Sequence, residues 1–243
     1  MKKKLVFITV VIVLSIVSII AVNYFPNKEV LTSQEIISLR EKYPVFDEEI
    51  PNPENVIMRK ISFEERITTV DTFAYCEVVG DVRYIKVNAG SGHEILDNKL
   101  NDMGIDTTLI KYQYPVKIIS DTEGLFDEGT EIYYTNGLSN QNYSPAPNIG
   151  DKIIIPITVD RYNDLIFSTR QGYYYVTDND YVLSGYAEDE GFEFTGIKRS
   201  ELMKKLKKTD KQVDVYNELR KIQNKNFGET VSEYVKRNKD KFK

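Results

Sequence analysis

The sequence has few of the residues that build covalent and metal-dependent sites. Its 243 residues include one cysteine, one histidine and no tryptophan. Because Cys76 has no second cysteine to pair with, an intramolecular disulfide is excluded, and the folded part must depend on its hydrophobic core. Because His93 is the single histidine, any site that needs two histidine ligands is excluded.

Long hydrophobic runs are also rare, and the clearest one lies at the N-terminus. It extends from Leu5 to Val22 and follows three consecutive lysines at positions 2–4. A helix of this length covers about 27 Å, close to the hydrocarbon thickness of a bilayer. The lysines place the N-terminus in the cytoplasm by the positive-inside rule, and residues 24–243 outside.

We therefore predict a single-pass signal-anchor that contacts membrane lipid from Leu5 to Val22. A cleaved signal peptide, with secretion of the rest, is the alternative. Such peptides usually have a shorter apolar run and a small-x-small cleavage site, which Ile19-Ile20-Ala21 matches only in part.

Charge is segregated along the chain, although the net charge is only -5. Residues 24–197 carry 14 basic and 30 acidic groups, whereas residues 198–243 carry 15 basic and 7 acidic groups. Together with hydropathy, this pattern predicts four parts: cytoplasmic lysines and transmembrane helix (1–23), juxtamembrane helix and linker (24–55), β-rich extracytoplasmic domain (56–197) and basic C-terminal helices (198–243).

Three capping boxes mark the starts of helices, at Thr32, Thr209 and Thr230, each followed three residues later by Glu or Gln. The first helix should end near Lys42, because the residue before Pro44 is pushed out of the helical region. A further helix is predicted over 200–208, and another over 93–103. The apolar stripe in residues 213–235 predicts docking on the body or on a partner.

The 17 tyrosines and 11 phenylalanines favour strands. Residues 67–87 predict a β-hairpin with its turn at Gly80-Asp81, and the Pro-containing stretch 136–150 predicts a surface loop. Further strands are predicted over 109–119, 131–135, 152–159, 165–168, 173–176 and 181–186. The expected fold class is α+β: a mostly antiparallel OB-like β-barrel or sandwich with C-terminal helices.

The segments YPVKIISDTEGLFDEGTEIYY, NIGDKIIIPITV and GYYYVTDNDYVLSGY, within residues 66–200, carry a resemblance. Their order of strands and turn signals resembles that of small exported bacterial proteins with an OB-like β-barrel. The resemblance implies the fold but no activity. These residues lack the basic strand face of nucleic-acid-binding OB modules, so we expect no nucleic-acid partner.

Cys76 and His93 could in principle form a thiolate–imidazole pair, since an imidazole can lower the pKa of a thiol. Cys76, however, lies in an apolar strand pattern, which favours a buried thiol that acts as a small hydrophobe. His93 follows Gly90-Ser91-Gly92 but fits neither a nucleophile elbow nor a zinc helix. A solvent-facing loop histidine is the favoured interpretation.

Acidic clusters at 121–123, 127–128, 178–180 and 188–190 lack the spacing of a calcium loop, so turns with solvated carboxylates are favoured. The tyrosine clusters 133–134 and 173–175 could form a stacking platform. Adjacent residues of a strand point to opposite faces, so we expect about half of each cluster in the core. The basic tail could meet an envelope protein or an anionic surface, or dock on the acidic body.

No catalytic, cofactor-binding or metal-binding residue is therefore assigned. We expect an extracytoplasmic binding or interaction module that is not an enzyme. The alternatives are a cell-envelope hydrolase whose carboxylates converge only in the fold, and a structural subunit of an envelope complex.

Overall fold

The structure, a computed structural model, describes residues 30–46, 62–88, 99, 102–104, 108–136, 145–168, 172–187 and 194–243. The predicted membrane helix from Leu5 to Val22, His93 and the acidic cluster 188–190 lie outside these residues, as does most of the predicted helix 93–103. No helix in the described part of the chain combines the length and apolar character needed to cross a membrane.

The described residues form an α+β fold with eight strands, as predicted at the level of fold class. The strands are β1 (Thr72–Val78), β2 (Arg83–Asn88), β3 (Thr108–Asp121), β4 (Glu131–Asn136), β5 (Lys152–Asp160), β6 (Leu165–Ser168), β7 (Tyr174–Val176) and β8 (Val182–Ser184). The helices are α1 (Ser33–Leu39), α2 (Phe63–Thr69), α3 (Arg199–Leu206), α4 (Asp210–Phe227) and α5 (Val231–Asn238), and a 3-10 turn (Lys239–Phe242) follows.

The strands form one mixed sheet, part of which curves into a ring. The order is β1-β3-β4-β6-β5-β7-β8, and β1 also pairs with β5. Seven of the eight described pairings are antiparallel, and β4 with β6 is parallel. The β4–β6 seam holds three register pairs, so the ring is partial and the sheet is not a closed barrel.

The predicted hairpin over residues 67–87 is wrong. β1 and β2 do not pair with each other; both pair with the 14-residue β3, β1 with its second half and β2 with its first half. The Gly80-Asp81 signal therefore marks a break between two strands that lie end to end along β3. Gly80 fits this break because an added Cβ would lie 3.0 Å from Pro115 of β3.

Two hydrophobic cores occupy opposite faces of the sheet. The ring core holds Cys76 of β1, Ile153 of β5 and Tyr134 of β4, and α5 adds Val231 and Tyr234. Each large apolar side chain that is fully buried stabilises the fold by about 1.5–3 kcal/mol. The final helix is thus part of the core, which confirms that its apolar stripe docks on the body.

The second core, here called the helix-side core, lies under α2 and α3. Phe73 of β1, Ile154 of β5 and Tyr174 of β7 pack there against Ile67 of α2 and Leu202 of α3. Because both faces of β1 and β5 are covered, these strands are buried nearly throughout.

All three predicted capping boxes are present, at Thr32, Thr209 and Thr230. Helix α1 and the residues that follow it also pack on the body. Arg40 donates a hydrogen bond to the carbonyl of Ser184 at 2.8 Å, and the Phe46 amide donates to the carbonyl of Gly185 at 2.8 Å.

Candidate binding groove

The turn between β3 and β4 is shaped by one carboxylate, that of Asp121. Its Oδ1 accepts hydrogen bonds from the Thr72 hydroxyl at 2.7 Å and from the amides of Glu123 and Leu125 at 3.0 Å each. Its Oδ2 accepts from the amide of Phe126 at 3.0 Å. These bonds fix the first half of the connection. Residues 127–130, here called the tip, complete it, and the Gly129 amide donates a hydrogen bond to the carbonyl of Ile118 at 2.8 Å.

A shallow groove of about 660 Å³ lies between this tip and the C-terminal end of the chain. We call it the β3–β4 groove. Its lining comprises residues 127–130 of the tip, Pro115 of β3, residues 131–133 of β4, and Lys239 and Lys243 from the C-terminal end. Its volume falls in the range of about 300–1,000 Å³ that is typical of ligand sites.

The groove presents charge of both signs. Asp127, Glu128 and Glu131 contribute acidic residues to its lining, and Lys239 and Lys243 contribute basic residues. The Lys243 ammonium lies 2.7 Å from a carboxylate oxygen of Asp240, and both side chains of this pair are exposed. Lys239 has no ion pair among the described residues. Phe242, buried in the ring core, anchors the segment that carries both lysines.

One wall of the groove is an aromatic ring held by a cation. The Arg83 guanidinium carbon lies 3.2 Å from the ring centroid of Tyr133. Arg83 Nε donates to Gln113 Oε1 at 2.8 Å, and Gln113 Nε2 donates to Thr135 Oγ1 at 2.9 Å. This chain of polar contacts crosses β2, β3 and β4, so the Tyr133 ring is fixed before any ligand arrives.

The basic C-terminal helices meet the acidic body at Asp71, the residue before β1. Its carboxylate accepts from the Val159 amide at 2.6 Å and the Tyr216 hydroxyl at 2.6 Å, and it forms an ion pair with Arg220 at 2.7 Å. The Lys208 ammonium donates to the Asp71 carbonyl at 3.1 Å. The structure thus supports intramolecular docking of the tail on the acidic body.

Burial shapes the proton affinities in this network. Desolvation raises the pKa of Tyr216, and the negative charge of Asp71 raises it further. Desolvation lowers the pKa of the Lys208 ammonium, although Glu123 and Asp71 act in the opposite direction. The network belongs to the helix–body interface and opens on no described groove, so we assign it a structural role.

Cys76 is buried in the ring core, as predicted. Desolvation raises the pKa of its thiol, so the nucleophilic thiolate is disfavoured. Its sulfur lies 3.8 Å from the carbonyl oxygen of Ile153. Since His93 is outside the described residues, the pairing of the two side chains stays a hypothesis.

The acidic clusters have separate roles. Asp121 shapes its own turn, Asp127 and Glu128 line the groove, and Asp178 and Asp180 pair with Lys42 and Arg199 at 2.8 and 2.6 Å. No group of three or more His, Cys, Asp or Glu side chains among the described residues is arranged to hold a metal ion.

The tyrosine clusters follow the predicted alternation but not the predicted exposure. Tyr133 is partly exposed while Tyr134 is buried. The prediction that only about half of each cluster lies in the core is wrong for the second cluster, because Tyr173, Tyr174 and Tyr175 are all buried. Tyr173 and Tyr175 enter the ring core and Tyr174 enters the helix-side core, so both faces are covered.

Sequence reasoning missed Arg83, Gln113 and the two groove lysines. Arg83 falls in the second strand of the predicted hairpin, and its contact with Tyr133 depends on how the strands pair. Tyr133 and the tip carboxylates are visible in the sequence, as a tyrosine cluster and an acidic cluster.

Comparison of the chain with protein-family models, curated proteins and solved structures finds no match.

Proposed function

We propose that this chain is a membrane-tethered binding module whose β3–β4 groove faces the outside of the cell membrane and takes a short peptide carrying both an amino and a carboxyl group. The segment from Leu5 to Val22, which the sequence predicts to be a membrane helix, would be the tether. The observation that carries the proposal is the groove itself, whose lining combines acidic residues, two lysines and a tyrosine ring that is held by Arg83.

An OB-like arrangement of the body supports this use of the groove. Strands β1, β3, β4, β6 and β5 pair in ring order, with β4 and β6 parallel. OB modules are five-stranded, partly open barrels that bind ligands on the face of their second and third strands. In chain order, β3 and β4 are the second and third strands of this ring.

Calorimetric titration of the full-length protein with a tripeptide containing lysine and glutamate tests the proposal. We expect saturable binding that weakens when the amino and carboxyl groups of the peptide are blocked. Tyr133→Ala removes the ring wall and should weaken binding by about tenfold, equivalent to about 1.4 kcal/mol. Tyr162→Ala is the matched control, because Tyr162 is 65% exposed and lies outside the groove lining.

Two results would count against the proposal. If no charged tripeptide binds, the proposed ligand class is wrong. If the Tyr133 and Tyr162 variants bind with equal affinity, the groove is not the binding site.

A further inference from the structure

Helix α4 carries an apolar ridge that the body does not cover. Val215, Leu219 and Ile222 are 46%, 57% and 74% exposed, although the helix is anchored to the body through Tyr216 and Arg220. The stripe that the sequence predicts in residues 213–235 is therefore divided: the members in α5 are buried in the ring core, and this ridge is left open.

The ridge has the spacing of a coiled-coil seam. Its members are separated by four and then three residues, and Asn226 follows at the next step of four. Alternation of three and four is the a/d pattern that lets one helix pack its side chains into the spaces of another. Val215 and Ile222 then occupy d positions, and Leu219 and Asn226 occupy a positions.

The charges beside the seam favour an identical helix in antiparallel orientation as the partner. Glu218 and Lys225 both occupy g positions of this heptad, on the same side of the ridge. In an antiparallel pair of identical helices, g positions of one copy face g positions of the other, so Glu218 of each copy meets Lys225 of its mate. In an antiparallel pair the positive end of each helix dipole also lies beside the negative end of the other, which is favourable.

We propose that the α4 ridge is a self-association surface, on which a second copy of this chain packs antiparallel across a two-fold axis. The two-fold makes each Glu218–Lys225 contact occur twice, as an isologous interface requires. The ridge is short, so the interface in solution is weak. Confinement of both copies to one membrane by the proposed tether would raise their effective concentration.

Sedimentation of the full-length protein in detergent, over a range of concentrations, tests the proposal. We expect a monomer–dimer equilibrium whose dissociation constant rises by about tenfold or more in Ile222→Lys. Ile149→Lys is the matched control, since Ile149 is 60% exposed in a turn before β5. Both substitutions change exposed side chains, so folding should be preserved, which circular dichroism checks.

Charge reversal tests whether the partner is a second copy of the chain and whether its α4 helix runs antiparallel. Glu218→Lys and Lys225→Glu should each weaken the dimer, and the double variant should restore it, because the reversed charges again face each other. A wild-type protein that stays monomeric overturns the proposal, and so does a dimer that survives Ile222→Lys or is not restored by the double reversal. A monomer whose binding to anionic lipid vesicles depends on Ile222 would assign the ridge to the membrane surface instead.

Discussion

Arg220 of α4 forms an ion pair with Asp71 at 2.7 Å, and this contact ties the basic tail to the first residue before β1. The Asp71 side chain is 1% exposed and that of Arg220 is 12% exposed. The same carboxylate accepts hydrogen bonds from Val159 and Tyr216. One acidic group thereby joins β5, α4 and the entry to β1.

Asp71→Asn should destabilise the protein strongly. The substitution leaves the Arg220 charge buried without its partner, and breaking a buried pair in this way costs about 3–5 kcal/mol. The free energy of unfolding from urea titration measures the effect. Asp178→Asn is the control, because Asp178 and Lys42 are 84% and 56% exposed at their side chains, and an exposed pair is worth about 0–1 kcal/mol. Equal losses in the two variants would contradict the role given to Asp71.

Stability should fall as the pH rises above about 10, the pKa of an unperturbed tyrosine. Desolvation raises the pKa of Tyr134, Tyr173 and Tyr175, so the folded protein retains protons that the unfolded chain releases. The unfolded state then binds fewer protons, and the free energy of unfolding decreases with pH. Burial also lowers the pKa of Lys111 and Lys208, which acts in the opposite direction over the same interval, but more groups have a raised pKa than these two with a lowered one.

Urea titrations at several alkaline pH values, with tyrosinate absorbance as the second signal, check this dependence. Tyr175→Phe should flatten the loss of stability, whereas Tyr84→Phe should leave it unchanged because Tyr84 is 62% exposed. A stability that is constant across this interval would show that the phenols ionise without unfolding.

Two glycines should respond differently to substitution. An added Cβ at Gly185 would lie 2.5 Å from Cδ1 of the buried Tyr173, so Gly185→Ala should cost about 1–3 kcal/mol through overpacking. Gly228 ends α4 with a φ of 68° and has no atom within 4 Å of an added Cβ. Gly228→Ala should therefore cost only the backbone strain of about 1–2 kcal/mol.

Substitution by asparagine distinguishes overpacking from backbone strain, because asparagine tolerates the left-handed conformation but adds volume. Gly228→Asn should recover part of the stability lost in Gly228→Ala, and Gly185→Asn should be worse than Gly185→Ala. Recovery at Gly185 instead of Gly228, measured by urea unfolding, would reverse this assignment.

Local features of the fold could be predicted from the sequence because their partners lie nearby. Each capping box is closed by residues three positions apart, so Thr209 and Gln212 identify the start of α4 without knowledge of the fold. Pairing over long distances could not be predicted in the same way. Gly80-Asp81 gives the same signal for a tight turn and for a break between two strands, and the length of β3 decides between them.

The residues of the β3–β4 groove also divide into those that the sequence reveals and those that depend on the fold. Tyr133 and the tip carboxylates are visible in the sequence as clusters, but the groove also needs Lys239 and Lys243, which lie more than a hundred residues away. These lysines reach the tip because Tyr234 and Phe242 are buried in the ring core. The full burial of residues 173–175 likewise depends on α3 covering the second face of the sheet.

Cys76 should stay unreactive until the protein unfolds, because the thiol is buried and its pKa is raised by desolvation. Maleimide labelling of the native full-length protein should be negligible, and labelling in urea should follow the unfolding transition. Rapid labelling under native conditions would contradict the burial of β1 in the ring core.

Labelling of Glu128→Cys on intact cells tests the central claim most directly. This substitution places a thiol in the lining of the β3–β4 groove, and the buried Cys76 keeps the background low. A membrane-impermeant maleimide should label the variant without permeabilisation, should not label the wild type, and the labelled protein should sediment with the membranes. Labelling that appears only after the membrane is breached would contradict the outward orientation, and labelled protein released into the medium would contradict the tether.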